Sequence, residues 1–158
     1  MTTPITTRHE LSISRKLDAP RAAVWRCWTE GALLKQWFCP KPWYVSRADM
    51  DVRPGGASLI VMNGPNGEEM PNPGQYLEVV QGKRLVFTDA FSGDWQPAGK
   101  PFMVGYVELS DALEGGTNMV WSALHWTEED MKQHLSMGFE AGWNAAADQL
   151  NDLASSLK

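Results

Sequence analysis

Nowhere in the 158 residues do eighteen apolar residues run together, so no helix is expected to span a membrane. The N-terminal stretch Met1 to Arg8 is polar and has no apolar h-region, so no signal peptide is expected either. Cysteine is scarce. Cys27 and Cys39 stand twelve apart, form no CxxC pair and offer no disulfide framework. Clusters of Lys and Arg are missing as well. Fourteen cations against nineteen anions leave a net charge of −5, the wrong sign for a partner held through its phosphates. The expectation is a reduced, cytoplasmic protein without nucleic-acid or membrane partners. Repeats, low-complexity segments and long linkers are also lacking, which leaves one domain over residues 9–157 with a frayed lead-in at 1–8.

Recognisable catalytic motifs are absent too. There is no HExxH, GxSxG, P-loop or GxGxxG. His9, His125 and His134 match no zinc spacing, even with Cys39 added, so neither a metal nor a cofactor is expected. Gly55-Gly56 and Gly115-Gly116 read as turns rather than phosphate cradles. Glu68-Glu69 falls in a hairpin loop, and Glu128 to Asp130 open a helix. Only Glu78 and Asp89 interrupt apolar strands. Each either faces a cavity as a base or anchor, or points to solvent from the other face of a sheet.

What the chain does hold is tryptophan, eight copies within a composition that is 43% hydrophobic. Each indole buries roughly 150–250 Å², so these side chains dominate either the core or a binding cavity. The pattern around them is clear. Residues 9–17 alternate as a strand, and Asp18-Ala19-Pro20 stops it, with Asp18 as a cap and Pro20 at a helix start. Two short helices follow over 19–30 and 32–38, ended by Cys39-Pro40-Lys41-Pro42. Strands are then expected at 43–50, 57–62, 74–80, 84–91, 102–109 and 117–126, divided by turn residues, as an antiparallel sheet requires. Last, Thr127-Glu128-Glu129-Asp130 resembles a capping box. Apolar residues recur three or four apart from Met131 to Leu157, which predicts one helix of about 28 residues. Gly138 and Gly142 interrupt that stripe, either for close packing or to leave a hollow. The fold class is therefore α+β, about seven antiparallel strands with a long C-terminal helix.

The order of these pieces resembles the START-like (SRPBCC, Bet v-type) superfamily, and within it the branch named after the activator of the heat-shock protein 90 ATPase. The matching segments are DAPRAAVWRCWTE (18–30), LLKQWFCP (33–40), DVRPGGASLIVMNGPNGEE (51–69), GQYLEVVQGKRLVFTDAF (74–91), GGTNMVWSALHW (115–126) and GFEAGWNAAADQLNDL (138–153). The resemblance implies a helix-grip fold: a curved antiparallel sheet wrapped around the C-terminal helix, with a cavity between them. It carries over no catalytic residue, and its members range from lipid, hormone and polyketide binders to cyclases. The co-chaperones that name the branch have a further N-terminal domain, for which a single domain has no room.

The reading that follows is a protein that binds a small hydrophobic or aromatic ligand in that cavity. Trp37, Trp43, Tyr76, Phe87, Trp121, Phe139 and Trp143 are the candidate walls, chosen by apolar size and expected element. Met62, Met70, Met103, Met119, Met131 and Met137 would make the lining adaptable if they face inward. An enzyme of cyclase or hydrolase type using Glu78, Asp89, Tyr76 or His125 is the alternative, and a chaperone-associated module the third. A homodimer and a chaperone partner stay open.

Overall fold

The computed structural model describes residues 9–157; the lead-in expected at 1–8 lies outside them. Strand β1 (His9–Leu17) leads to helices α1 (Arg21–Thr29) and α2 (Gly31–Leu34). Six strands follow: β2 (Tyr44–Met50), β3 (Ala57–Asn63), β4 (Glu69–Val80), β5 (Arg84–Thr88), β6 (Met103–Asp111) and β7 (Thr117–His125). Helices α3 (Glu128–Ser136) and α4 (Phe139–Ser156) close the chain. The seven strands form one curved antiparallel sheet in the order β1-β7-β6-β5-β4-β3-β2. Strands β2 to β7 meander, and only β1 joins from a distance, across α1 and α2. No helix among the described residues is long and apolar enough to cross a membrane.

Register places the apolar residues on the helical side. Ile13 stands opposite Trp121, Trp121 opposite Val107, and Val107 opposite Leu85, so one rung crosses four strands. All four are buried. Against this face pack Val24, Cys27 and Trp28 of α1 and Ala146, Ala147, Leu150 and Ala154 of α4. Small residues on α4 let its backbone approach the sheet, while the indoles fill the space at its N-terminal end.

Three local expectations need correction. Asp18 does not cap α1, whose N-cap is Pro20 without a side-chain bond. Its backbone N–H and carboxylate instead exchange hydrogen bonds with Asn151 of α4 (2.8 and 3.0 Å), tying the first turn to the last helix. Strand β4 begins at Glu69 rather than 74, running through Pro71 and Pro73. These prolines are two apart, so their missing N–H groups lie on one edge, the one that β5 covers only from Gln75 onward. The long helix is two helices. Thr127 Oγ1 does accept the Asp130 N–H at 3.1 Å, but the chain turns at Met137 and Gly138.

Gly138 is the N-cap of α4 at φ 88°, a left-handed conformation in which a Cβ costs about 1–2 kcal/mol. A side chain there would touch nothing within 4 Å, so the requirement is conformational alone. Gly142 differs: it lies inside α4, where a Cβ would meet Pro40 Cγ in ordinary contact at 3.9 Å. Gly138→Ala should therefore lower unfolding stability by about 1–2 kcal/mol. Gly142→Ala should raise it by about 0.8–1 kcal/mol. Urea titration of both variants checks the pair, and shifts of the same sign would mean that the break between α3 and α4 is not held by Gly138.

Candidate functional site

Between the sheet and α4 lies a cavity of about 570 Å³, lined by residues of α1, α2 and the segment after it, β3 to β7, α3 and α4. Its back wall is aromatic. Trp121 stacks on Trp143 with centroids 4.1 Å apart and meets Trp28 edge-on at 5.0 Å. Phe139 lies 4.3 Å from Trp143, and Phe87 stacks on Trp28 at 6.2 Å. Phe87 reaches this position because its ring lies over Gly105 of the neighbouring strand; a Cβ there would stand 2.3 Å from the ring. Gly105 thus leaves room for a ring where any side chain would displace it.

The seven residues expected to form the walls divide. Tyr76, Phe87, Trp121, Phe139 and Trp143 line the cavity; Trp37 and Trp43 are not among the lining residues. Trp37 is wholly buried beneath it, its Nε1–H donating to the Cys27 carbonyl at 2.9 Å. Trp43 packs towards Gly64 in the β3–β4 hairpin. Both carry a large apolar ring at a strand or helix end, and size alone does not tell a wall from a core position. Conversely Trp28, Phe38, Phe102 and His134 line the cavity, although the sequence singled out none of them as walls. Four of the six methionines, Met62, Met70, Met103 and Met137, also line it, whereas Met119 is core.

The Cys39-Pro40-Lys41-Pro42 segment acquires a role at the rim, where Cys39 and Pro40 line the cavity. Gln149 of α4 holds this stretch from both sides. Its Nε2 donates to the carbonyls of Trp37 (2.9 Å) and Cys39 (2.7 Å), and its Oε1 accepts the Lys41 N–H (3.1 Å). Cys27 and Cys39 are free, and burial pushes both thiols up to about 11, so neither supplies a thiolate near neutral pH.

Polar groups in the cavity are few. Asp89 lines it while one carboxylate oxygen accepts the N–H groups of Phe102 (2.8 Å) and Met103 (3.1 Å). Tyr76 also lines it, and burial raises its phenol well above the ordinary range. Glu78 is exposed and paired with Arg84 at 2.6 Å, and it is not among the lining residues. His125, also absent from the lining, is buried at the end of β7 and bridges two elements. Its Nδ1 lies 2.8 Å from the His9 carbonyl oxygen and its Nε2 2.8 Å from Nδ1 of His134. His134 faces the cavity within a ring of Phe102, Phe139 and Trp143, at centroid distances of 5.1, 5.1 and 5.6 Å. Among the described residues no group of three or more His, Cys, Asp or Glu stands close enough to hold a metal ion.

A curved antiparallel sheet closed by a C-terminal helix over an aromatic cavity is the helix-grip architecture of the SRPBCC superfamily. The profile of the family described as activator of Hsp90 ATPase homolog 1-like protein matches residues 18–155, and the chain belongs to that family. A crystal structure of a Nitrosomonas europaea protein superposes with a TM-score of 0.89 at 40% identity, covering 92% of this chain and 94% of that one. A Mycobacterium smegmatis crystal structure gives 0.78 at 22% identity, with 98% and 99% covered. An Arthrobacter aurescens solution structure gives 0.80 at 23%, with 98% and 94% covered. The last two establish the fold alone. No curated protein matches the chain.

Desolvation, and then the charge that His125 can carry, lowers the His134 pKa from 6.5 to about 4. The unfolded chain takes up this proton near 6.5, whereas the folded chain resists it down to about 4. The associated stability is therefore present above pH 6.5 and is lost as pH falls towards 4. Thermal unfolding followed by circular dichroism should show a midpoint that drops across that window. His134→Phe should flatten the drop, and coincident slopes for the two proteins would show that His134 is not held neutral.

Proposed function

We propose that the protein binds a small hydrophobic or aromatic molecule in the cavity between the sheet and α4. The observation that carries this reading is the cavity's size and chemistry together. A volume of about 570 Å³ falls within the range of small-molecule sites, and its walls are aromatic rings with a few polar groups. Four methionines soften the lining, which favours a family of related ligands over one rigid shape. Acid–base chemistry in the same cavity is the second reading, supported by the placement of Tyr76 and Asp89 in its lining. A chaperone partner is supported by the family's description alone.

Native mass spectrometry of the purified protein, followed by extraction, should reveal a retained small molecule or an empty site that takes up anilinonaphthalene sulfonate. Met62 lines the cavity from β3 and is partly exposed, so Met62→Trp fills the space without removing a core contact. This variant should fold normally and weaken binding of the probe about tenfold or more, because the added indole occupies the apolar volume. Unchanged affinity in a folded Met62→Trp variant would place the binding elsewhere and sink the reading.

A further inference from the structure

The two histidines decide which hydrogen-bonding group the cavity presents. The His9 carbonyl oxygen can only accept, so His125 Nδ1 carries a hydrogen and donates across the 2.8 Å contact. With both rings neutral, His125 Nε2 is then a lone pair, and His134 Nδ1–H must be the donor at 2.8 Å. The hydrogen of His134 is thereby committed to Nδ1, and its Nε2 is left as an unprotonated acceptor. His134 Nδ1 is engaged by His125; of the rings around His134, those of Phe102 and Phe139 carry no polar atom, and the Trp143 indole makes no hydrogen bond to Nε2.

Some donors in the same lining are already committed. Asn72 Nδ2 donates to the carbonyls of Ile60 and Met70, and Thr88 Oγ1 to that of Met103. The indole N–H groups of Trp28 and Trp121 are buried without a partner. Asp89, in contrast, is a second acceptor in the lining. An unpartnered acceptor ringed by aromatic side chains, as His134 Nε2 is, suits a ligand that brings a donor.

We propose that the ligand is a hydroxylated aromatic molecule whose O–H donates a hydrogen bond to His134 Nε2. This deepens the binding reading and rests on it. His125 is a positioning residue here: its bond to a peptide carbonyl, which cannot take up a proton, sets the tautomer of His134 instead of relaying protons. The arrangement therefore recognises a hydroxyl without needing to ionise it.

The test compares naphthol, methylnaphthalene and methoxynaphthalene, all substituted at the same ring position, by isothermal titration calorimetry. The methyl compound matches naphthol in shape, and the methyl ether keeps the oxygen as an acceptor but has no O–H. The wild-type protein should bind naphthol roughly three- to tenfold more tightly than either analogue, the value of one hydrogen bond in such a site. His134→Phe should bring all three to similar affinities. Imidazole nitrogen NMR of the wild-type protein should show an unprotonated His134 Nε2 whose resonance moves with naphthol and not with the methyl compound. Equal wild-type affinities, or an ether that binds as tightly as naphthol, would overturn the hydroxyl assignment and leave cavity binding standing. No binding of any of the three would overturn both.

Discussion

The structure depends on one aromatic junction, centred on Trp121. Its ring stacks on Trp143 of α4 at 4.1 Å and meets Trp28 of α1 at 5.0 Å and Trp37 at 5.8 Å. A single side chain from the sheet therefore touches both helical layers, which are otherwise joined through small residues and a few polar clamps. Edge-to-face and offset-stacked indoles combine large apolar burial with defined ring geometry. That geometry sets the distance between α4 and the sheet, and with it the size of the hollow alongside. Gly105 extends the same logic by letting Phe87 lie over its strand, so the wall is built of rings on a surface cleared for them.

Charge is kept out of that hollow by pairing it elsewhere. Arg84 links Glu78 and Glu108 on exposed positions of β4, β5 and β6, and Arg15 of β1 reaches Asp148 of α4. Such exposed pairs contribute little stability. Their consequence is compositional: the cavity is left with aromatic and aliphatic side chains, methionines and uncharged polar groups, with Asp89 as its one carboxylate and His134 as its one histidine. Gln149 and Asn151 add hydrogen bonds that anchor the rim and the first turn to α4, so the helix carries positioning as well as burial. Recognition in such a site is a matter of ring packing plus a small number of directional contacts.

Much of this was legible in the chain. Alternation over 9–17 and the turn residues between the later strands located the sheet, and the collinear segments from 18 to 153 located the superfamily. The candidate site was only partly legible. Tyr76, Phe87 and Trp121 face the cavity because strand register puts them on one side, and Phe139 and Trp143 because they sit in the first turns of α4. Trp37 looks the same as these in a sequence, yet a hydrogen bond to the Cys27 carbonyl draws it into the core. The contact between His125 and His134 left no periodic trace, since it joins the end of a strand to the face of a helix through the turn at Trp126 and Thr127.

Local sequence determined the element order, the antiparallel class and the apolar character of the interior, because backbone periodicity and turn chemistry act over a few residues. It did not determine that the C-terminal stripe breaks at Gly138, because an unbroken 3.6-residue pattern is indifferent to a left-handed residue that rotates the next helix. The tertiary structure alone decided which rings are walls and which are core, and which nitrogen of His134 is left without a hydrogen. Those choices depend on tertiary contacts, some between residues more than a hundred positions apart, such as His9 with His125, and no local pattern encodes them.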